Sequence, residues 1–166
     1  MTPKAWGLLG GLVVLLLLTM CGCGGPSAPA FYSIDEAFSE SERETIRAAV
    51  AAWCEAGAAC PEEAMFSEEA HFELVDDLPE DERTERACPE GRTCSTNGRE
   101  SRGKIEIARN RRSGLDVLWS VAAHEFGHVC IKGHRADSAL MTSYQGEGGP
   151  LKVDAKAVEY WHEGCP

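Results

Sequence analysis

The sequence predicts a single α+β domain, and three observations predict it. Apolar residues recur at helical spacing around Ile46–Trp53, Leu115–Val129 and Ala157–Trp161. Two short runs, His71–Val75 and Lys104–Ala108, alternate instead and read as strands. The stretches between them are rich in Gly, Pro and charge, and read as turns. No internal repeat is visible, and 166 residues leave room for one core.

The chain opens on a segment outside that domain. Lys4 precedes an uncharged run, continuously apolar from Leu12 to Leu18, and then Thr19-Met20-Cys21-Gly22-Cys23. A basic start, a short apolar stretch and small residues after it read as a signal peptide over 1–22. The run is too short for a spanning helix. Cys23, after the small Gly22 and three past Met20, fits a bacterial lipoprotein box better than Cys21 does. That resemblance implies a chain exported to the cell envelope and held at a membrane surface by a lipid on Cys23. Plain secretion with cleavage nearby is the alternative. Gly24-Gly25-Pro26-Ser27-Ala28-Pro29 begins a flexible linker, 23–38, with folded structure starting near Phe31 and the domain proper over 39–166. Only this linker lies between Cys23 and the first helix.

Ser39 and Glu42 can form a capping box for the first helix, whose buried stripe is Ile46, Ala49, Val50 and Trp53 and which ends near Gly57. In the strand His71–Val75, Phe72 and Leu74 point inward, which leaves His71 as a surface imidazole. Residues 76–102 are charged and turn-rich, with Pro79, Pro89, Gly91, Asn97 and Gly98, and read as irregular. Lys104–Ala108 is the second strand. Arg109, Arg111 and Arg112 form the only basic knot, read as a solvated turn. Ser113 and Asp116 are a possible capping box for the next helix, with Leu115, Leu118, Trp119, Ala122, Phe126 and Val129 as its stripe. After a Gly-rich loop from Gly146 to Pro150, a last helix carries Asp154 in its first turn and Ala157, Val158 and Trp161.

The central helix bears the chemistry. His124 and His128 are four apart and fall nearly opposite the apolar stripe, so their imidazoles point the same way. One Zn²⁺ can take both, and His134, six residues further, can close a three-histidine site with a fourth position left open. Glu125 lies beside the ion rather than on it, placed to take a proton from an attacking water. Any one of these histidines alone would read as a hydrogen-bonded imidazole; the set of four residues reads as a metal site. A distant acid, Glu159 or Glu163, is the alternative third ligand.

Without Lys4 the formal charge is −12 rather than −11, which excludes nucleic-acid binding through clustered cations. Six cysteines lie beyond Cys23, and an even count in an exported chain argues for disulfides. Of the fifteen possible pairings, short loops favour Cys54–Cys60 and Cys88–Cys94, leaving Cys130–Cys165. A cysteine-ligated structural zinc competes with this, but no paired Cys-x-x-Cys spacing supports it.

The helix, the third histidine and Ser138-Ala139-Leu140-Met141 together resemble the metzincin clan of zinc endopeptidases, nearest to the matrixin family. The resemblance covers roughly residues 40–162, and its specific part is 119–144. It implies a zincin-like fold: a small twisted sheet with an N-terminal, an active-site and a C-terminal helix, here stapled by disulfides. It further implies Zn²⁺ on His124, His128 and His134, Glu125 as general base, Met141 in a methionine turn beneath the metal, and a protein or peptide substrate cut by a monomer. Tyr144 lies three past Met141 and is assigned no role. The family has glycine three residues after its second histidine; here that position is Ile131. Either the helix runs on and turns at Gly133, or Ile131 is strained. The rival to an enzyme is a disulfide-stapled surface lipoprotein whose zinc site binds a partner or only stabilises the fold.

Overall fold

The computed structural model describes residues 27–78, 97–109, 114–142 and 152–166. The signal region, Cys23, the Cys88–Cys94 pairing, Arg111, Arg112, Ser113 and Tyr144 lie outside them. The described elements are β1 (Phe31–Ile34), α1 (Glu40–Glu55), β2 (Glu62–Glu63), β3 (His71–Val75), β4 (Gly98–Ser101), β5 (Lys104–Ala108), α2 (Leu115–Gly127) and α3 (Ala155–Gly164). The class is α+β, with a mixed five-stranded sheet in the order β2-β1-β3-β5-β4. The first four in that order run parallel, and β4 closes one edge antiparallel to β5.

Three strands escape the sequence reading. β1 lies in the stretch expected to be linker, and β2 is two glutamates paired to it. β4 lies inside the stretch expected to be irregular. Its residues Gly98-Arg99-Glu100-Ser101 carry no apolar pattern, and pairing with β5 makes the strand. The hairpin turns on Arg102 and Gly103, with φ of 57° and 83°. Both signs suit a two-residue loop that matches strand twist. A side chain at Gly103 would also meet the Glu68 and Glu69 carbonyls at 2.6 Å. Gly103 just ahead of a strand was the available signal.

α1 starts as expected: the Ser39–Glu42 capping box forms, with the Glu42 carboxylate accepting the Ser39 N–H at 2.7 Å. Ile46, Ala49, Val50 and Trp53 are its buried face. That face packs on α2, and Trp53 donates its indole N–H to the Ala123 carbonyl at 2.9 Å. An aromatic column runs through the core from Phe72 on the sheet to Phe126 on α2 (6.3 Å), to Trp161 on α3 (5.4 Å) and to Trp53 (4.9 Å). His71 is not a bare surface imidazole: it is half-buried, with Nδ1 2.8 Å from the Ser33 hydroxyl.

Two disulfides are described, Cys54–Cys60 and Cys130–Cys165, with Cα separations of 4.6 and 5.3 Å. The second ties the end of the α2 turn to the end of α3. Gly164 is needed there, because a Cβ on it would lie 1.7 Å from the Cys130 carbonyl oxygen. The bridge spans 35 residues. Its removal in a Cys130→Ser/Cys165→Ser variant is expected to cost about 4 kcal/mol in the chain-entropy description. Urea unfolding measures this, and an unchanged midpoint would contradict it.

Candidate metal centre

α2 is buried almost all round: Leu118 and every residue from Ser120 to Gly127 are inside. The two-faced helix expected from the sequence is therefore a central one, enclosed by α1, the sheet and the segment Ser138–Met141. Leu115 does not join the stripe; it is 48 % exposed. The N-cap is Gly114 at φ 131°, one residue past the expected Ser113.

The helix proper ends at Gly127, with His128 as C-cap still in the right-handed region. Val129 therefore lies beyond it. Residues 128–130 tighten into i→i+3 bonds, and Ile131 N–H closes the series on the Gly127 carbonyl at 2.8 Å. Ile131 is buried and stays out of the left-handed region, which is taken by Gly133 at φ 73°. So the coil continues as a tighter turn and the chain reverses at Gly133, without strain on the β-branched residue.

This path brings His124, His128 and His134 together, with candidate ligand atoms all within 4.8 Å of one another. His124 donates its Nδ1–H to the Leu140 carbonyl at 2.6 Å, and His128 donates its own to the Ile131 carbonyl at 2.9 Å. These bonds put each proton on Nδ1 and leave each Nε2 with a lone pair. The two Nε2 atoms face each other 3.1 Å apart. Two lone pairs at that distance repel unless a cation lies between them. A tetrahedral ion with ligands at 2.0–2.1 Å would set neighbouring donors about 3.3 Å apart. Burial lowers the pKa of His124 against the bond to Leu140, and lowers that of His128 together with the nearby His124. Both rings are thus held in the neutral form a metal needs. His134 is exposed, its ring 5.2 and 5.0 Å from the other two. The group could hold a metal ion, and three imidazoles suit a borderline divalent one.

Glu125 is 8 % exposed, and burial raises its carboxyl to about 7 against the lowering effects of His128 and of a backbone bond from Glu100. The edge strand β4 makes room for it: a Cβ at Gly98 would stand 2.6 Å from the Glu125 Cγ. Glu159 and Glu163 do not take part. Glu159 pairs with Lys156 at 2.6 Å, and Glu163 lines a separate pocket with Lys132 and Tyr160.

Met141 is fully buried and fills the space against Gly127 and Trp53, where a Cβ on Gly127 would meet its sulfur at 2.6 Å. The sequence did not reveal what holds this turn. Asp154 is the N-cap of α3, accepting Lys156 and Ala157 N–H at 3.1 and 3.0 Å, not a first-turn acid. Its other oxygen accepts the Ser138 hydroxyl at 2.9 Å and the Leu140 N–H at 3.0 Å. One carboxylate thus connects α3 to the residue whose carbonyl orients His124. A capping signal was readable; its second set of partners, 14 to 16 residues away, was not. Burial opposes ionisation of Asp154, but the bonds from Leu140, Ala157, Ser138 and Lys156 outweigh it and hold the carboxyl below its ordinary value. A lowered folded pKa contributes stability above the unfolded pKa, lost as pH falls through the folded one. Asp154→Ala is expected to lower stability at pH 7 by about 1–2 kcal/mol, the range for a lost cap. It should also flatten the fall in stability below pH about 4. Denaturant titrations at pH 7 and 3 measure both, and an equal loss at the two pH values would contradict the second.

No model of a known protein family matches the chain, and no curated protein matches it.

Proposed function

We propose that the chain is a zinc-dependent endopeptidase of metzincin type, nearest to the matrixins, exported and held at a membrane surface through a lipid on Cys23. The observation that carries the enzymatic reading is the pair of Nε2 lone pairs 3.1 Å apart, each fixed by a backbone acceptor, with His134 beside them and a buried carboxylate on the next residue of the helix. A purely structural site needs no such carboxylate and is more often closed by a fourth protein ligand. The carboxylate is buried at a cost that a proton-transfer role would explain.

Zinc, when bound, supplies a Lewis acid for the scissile carbonyl and lowers the pKa of water toward neutrality. His124, His128 and His134 would hold it. The Leu140 and Ile131 carbonyls fix the ring planes of the first two, so neither of these must reorient on binding. The Glu125 carboxylate takes the proton of the attacking water and hands it to the leaving amine nitrogen. The Glu100 N–H holds that carboxylate on the β4 side. Among the described residues no helix is long and apolar enough to cross a membrane.

The test is zinc content and casein cleavage for the wild type against Glu125→Ala. Cleavage lost in the variant with zinc retained is the expected result. Bound zinc with no Glu125-dependent hydrolysis of any substrate would favour a non-enzymatic zinc-binding lipoprotein.

A further inference from the structure

We propose that Glu100 selects the substrate of this site, favouring a peptide with lysine or arginine within three residues of the bond that is cut. This rests on the endopeptidase reading and names a preference within it.

Gly98 and Glu100 are two apart on β4, so they share one face of the strand. That face lies directly against α2: a Cβ at Gly98 would be 2.6 Å from Glu125 Cγ and 2.7 Å from Val121 Cγ1. Two residues further along the strand, the Glu100 N–H donates to the Glu125 carboxylate. Glu100 is therefore beside the base of the reaction, on the edge strand of the sheet. Its charge is felt by both Glu125 and His128.

The side chain is half-buried, and Oε1 accepts the Gly103 N–H at 2.8 Å. Among the described residues no lysine or arginine lies within ion-pair range of it. Arg99 pairs with Glu106, and Lys104 with Glu73 and Glu106, while Arg102 is exposed at the turn of the hairpin. A half-buried carboxylate with one oxygen fixed and no cation is a site for a cation from outside.

Reach sets the position. The carbonyl under attack must lie within one water of the Glu125 carboxylate, and Glu100 touches that carboxylate through its main chain. An extended peptide advances about 3.3 Å per residue and alternates its side chains. A basic side chain up to three residues from the cut then meets Glu100. The formal charge of −11 adds long-range attraction for such peptides.

The experiment compares peptides that carry lysine, norleucine or glutamate at each of the three positions on either side of a fixed cleavage sequence. Each is incubated with the zinc-loaded wild type, Glu100→Gln and Glu100→Lys, with cut sites and kcat/KM read by mass spectrometry. Glutamine keeps an acceptor for Gly103, so the hairpin stays closed. The wild type is expected to favour lysine over norleucine about tenfold at one position or more. The ratio should approach one in Glu100→Gln, and Glu100→Lys should favour glutamate. Cleavage with a ratio near one in the wild type, or a preference unchanged in Glu100→Gln, overturns the inference and leaves the endopeptidase reading standing. No cleavage of any peptide by the zinc-loaded wild type overturns both.

Discussion

Alanine at His124 or His128 is expected to remove most of the bound zinc, weakening its binding about a hundredfold or more. The magnitude follows from what supports each ring. Loss of a residue that only orients a ligand commonly costs 10- to 100-fold in metal affinity, and loss of a ligand should exceed that. His124 is the more consequential of the two. It is 7 % exposed, and its removal also leaves the Leu140 carbonyl without its 2.6 Å donor. His134 is exposed, so its replacement disturbs the fold least and tests the ligand set most cleanly. Metal analysis after dialysis against a weak chelator gives the answer, with His71→Ala as a control outside the cluster. Full zinc and activity in His134→Ala would remove the three-histidine site.

Glu125→Gln is expected to keep zinc and slow hydrolysis about a hundredfold or more, the range of a general base. Glutamine has the same shape, and its carbonyl oxygen can still accept the Glu100 N–H that the carboxylate accepts now. What is lost is the capacity to take a proton. Burial makes the experiment cleaner, because a neutral side chain is easier to accommodate there than a charged one. Turnover and thermal midpoint should therefore separate: slower turnover with an unchanged or higher midpoint. Undiminished turnover would remove the assigned role.

Much of the site was legible because it is local. His124, Glu125 and His128 lie on one helix, where spacing alone fixes relative direction. The capping box at Ser39 and Glu42 and the strands His71–Val75 and Lys104–Ala108 were legible for the same reason: each carries its own periodic or capping signal. β1, β2 and β4 were not legible. Glu62-Glu63 and Gly98–Ser101 have no strand pattern of their own and become strands only beside β1 and β5.

The sequence by itself placed His124, Glu125 and His128 together on one helix, because helical geometry turns spacing into position. It left the reversal open between Ile131 and Gly133, and the structure takes it at Gly133, where glycine adopts φ 73° without strain. Tertiary structure decided which protons the histidines carry, because the Leu140 carbonyl comes from 16 residues away. It decided that Asp154 holds the turn carrying that carbonyl, through bonds to Ser138 and Leu140. It brought Glu100 against Glu125, because an edge strand with a glycine at position 98 can approach the helix where a side chain could not. Hydrogen bonds and charges between distant segments depend on where the chain places them, and no local pattern encodes that place.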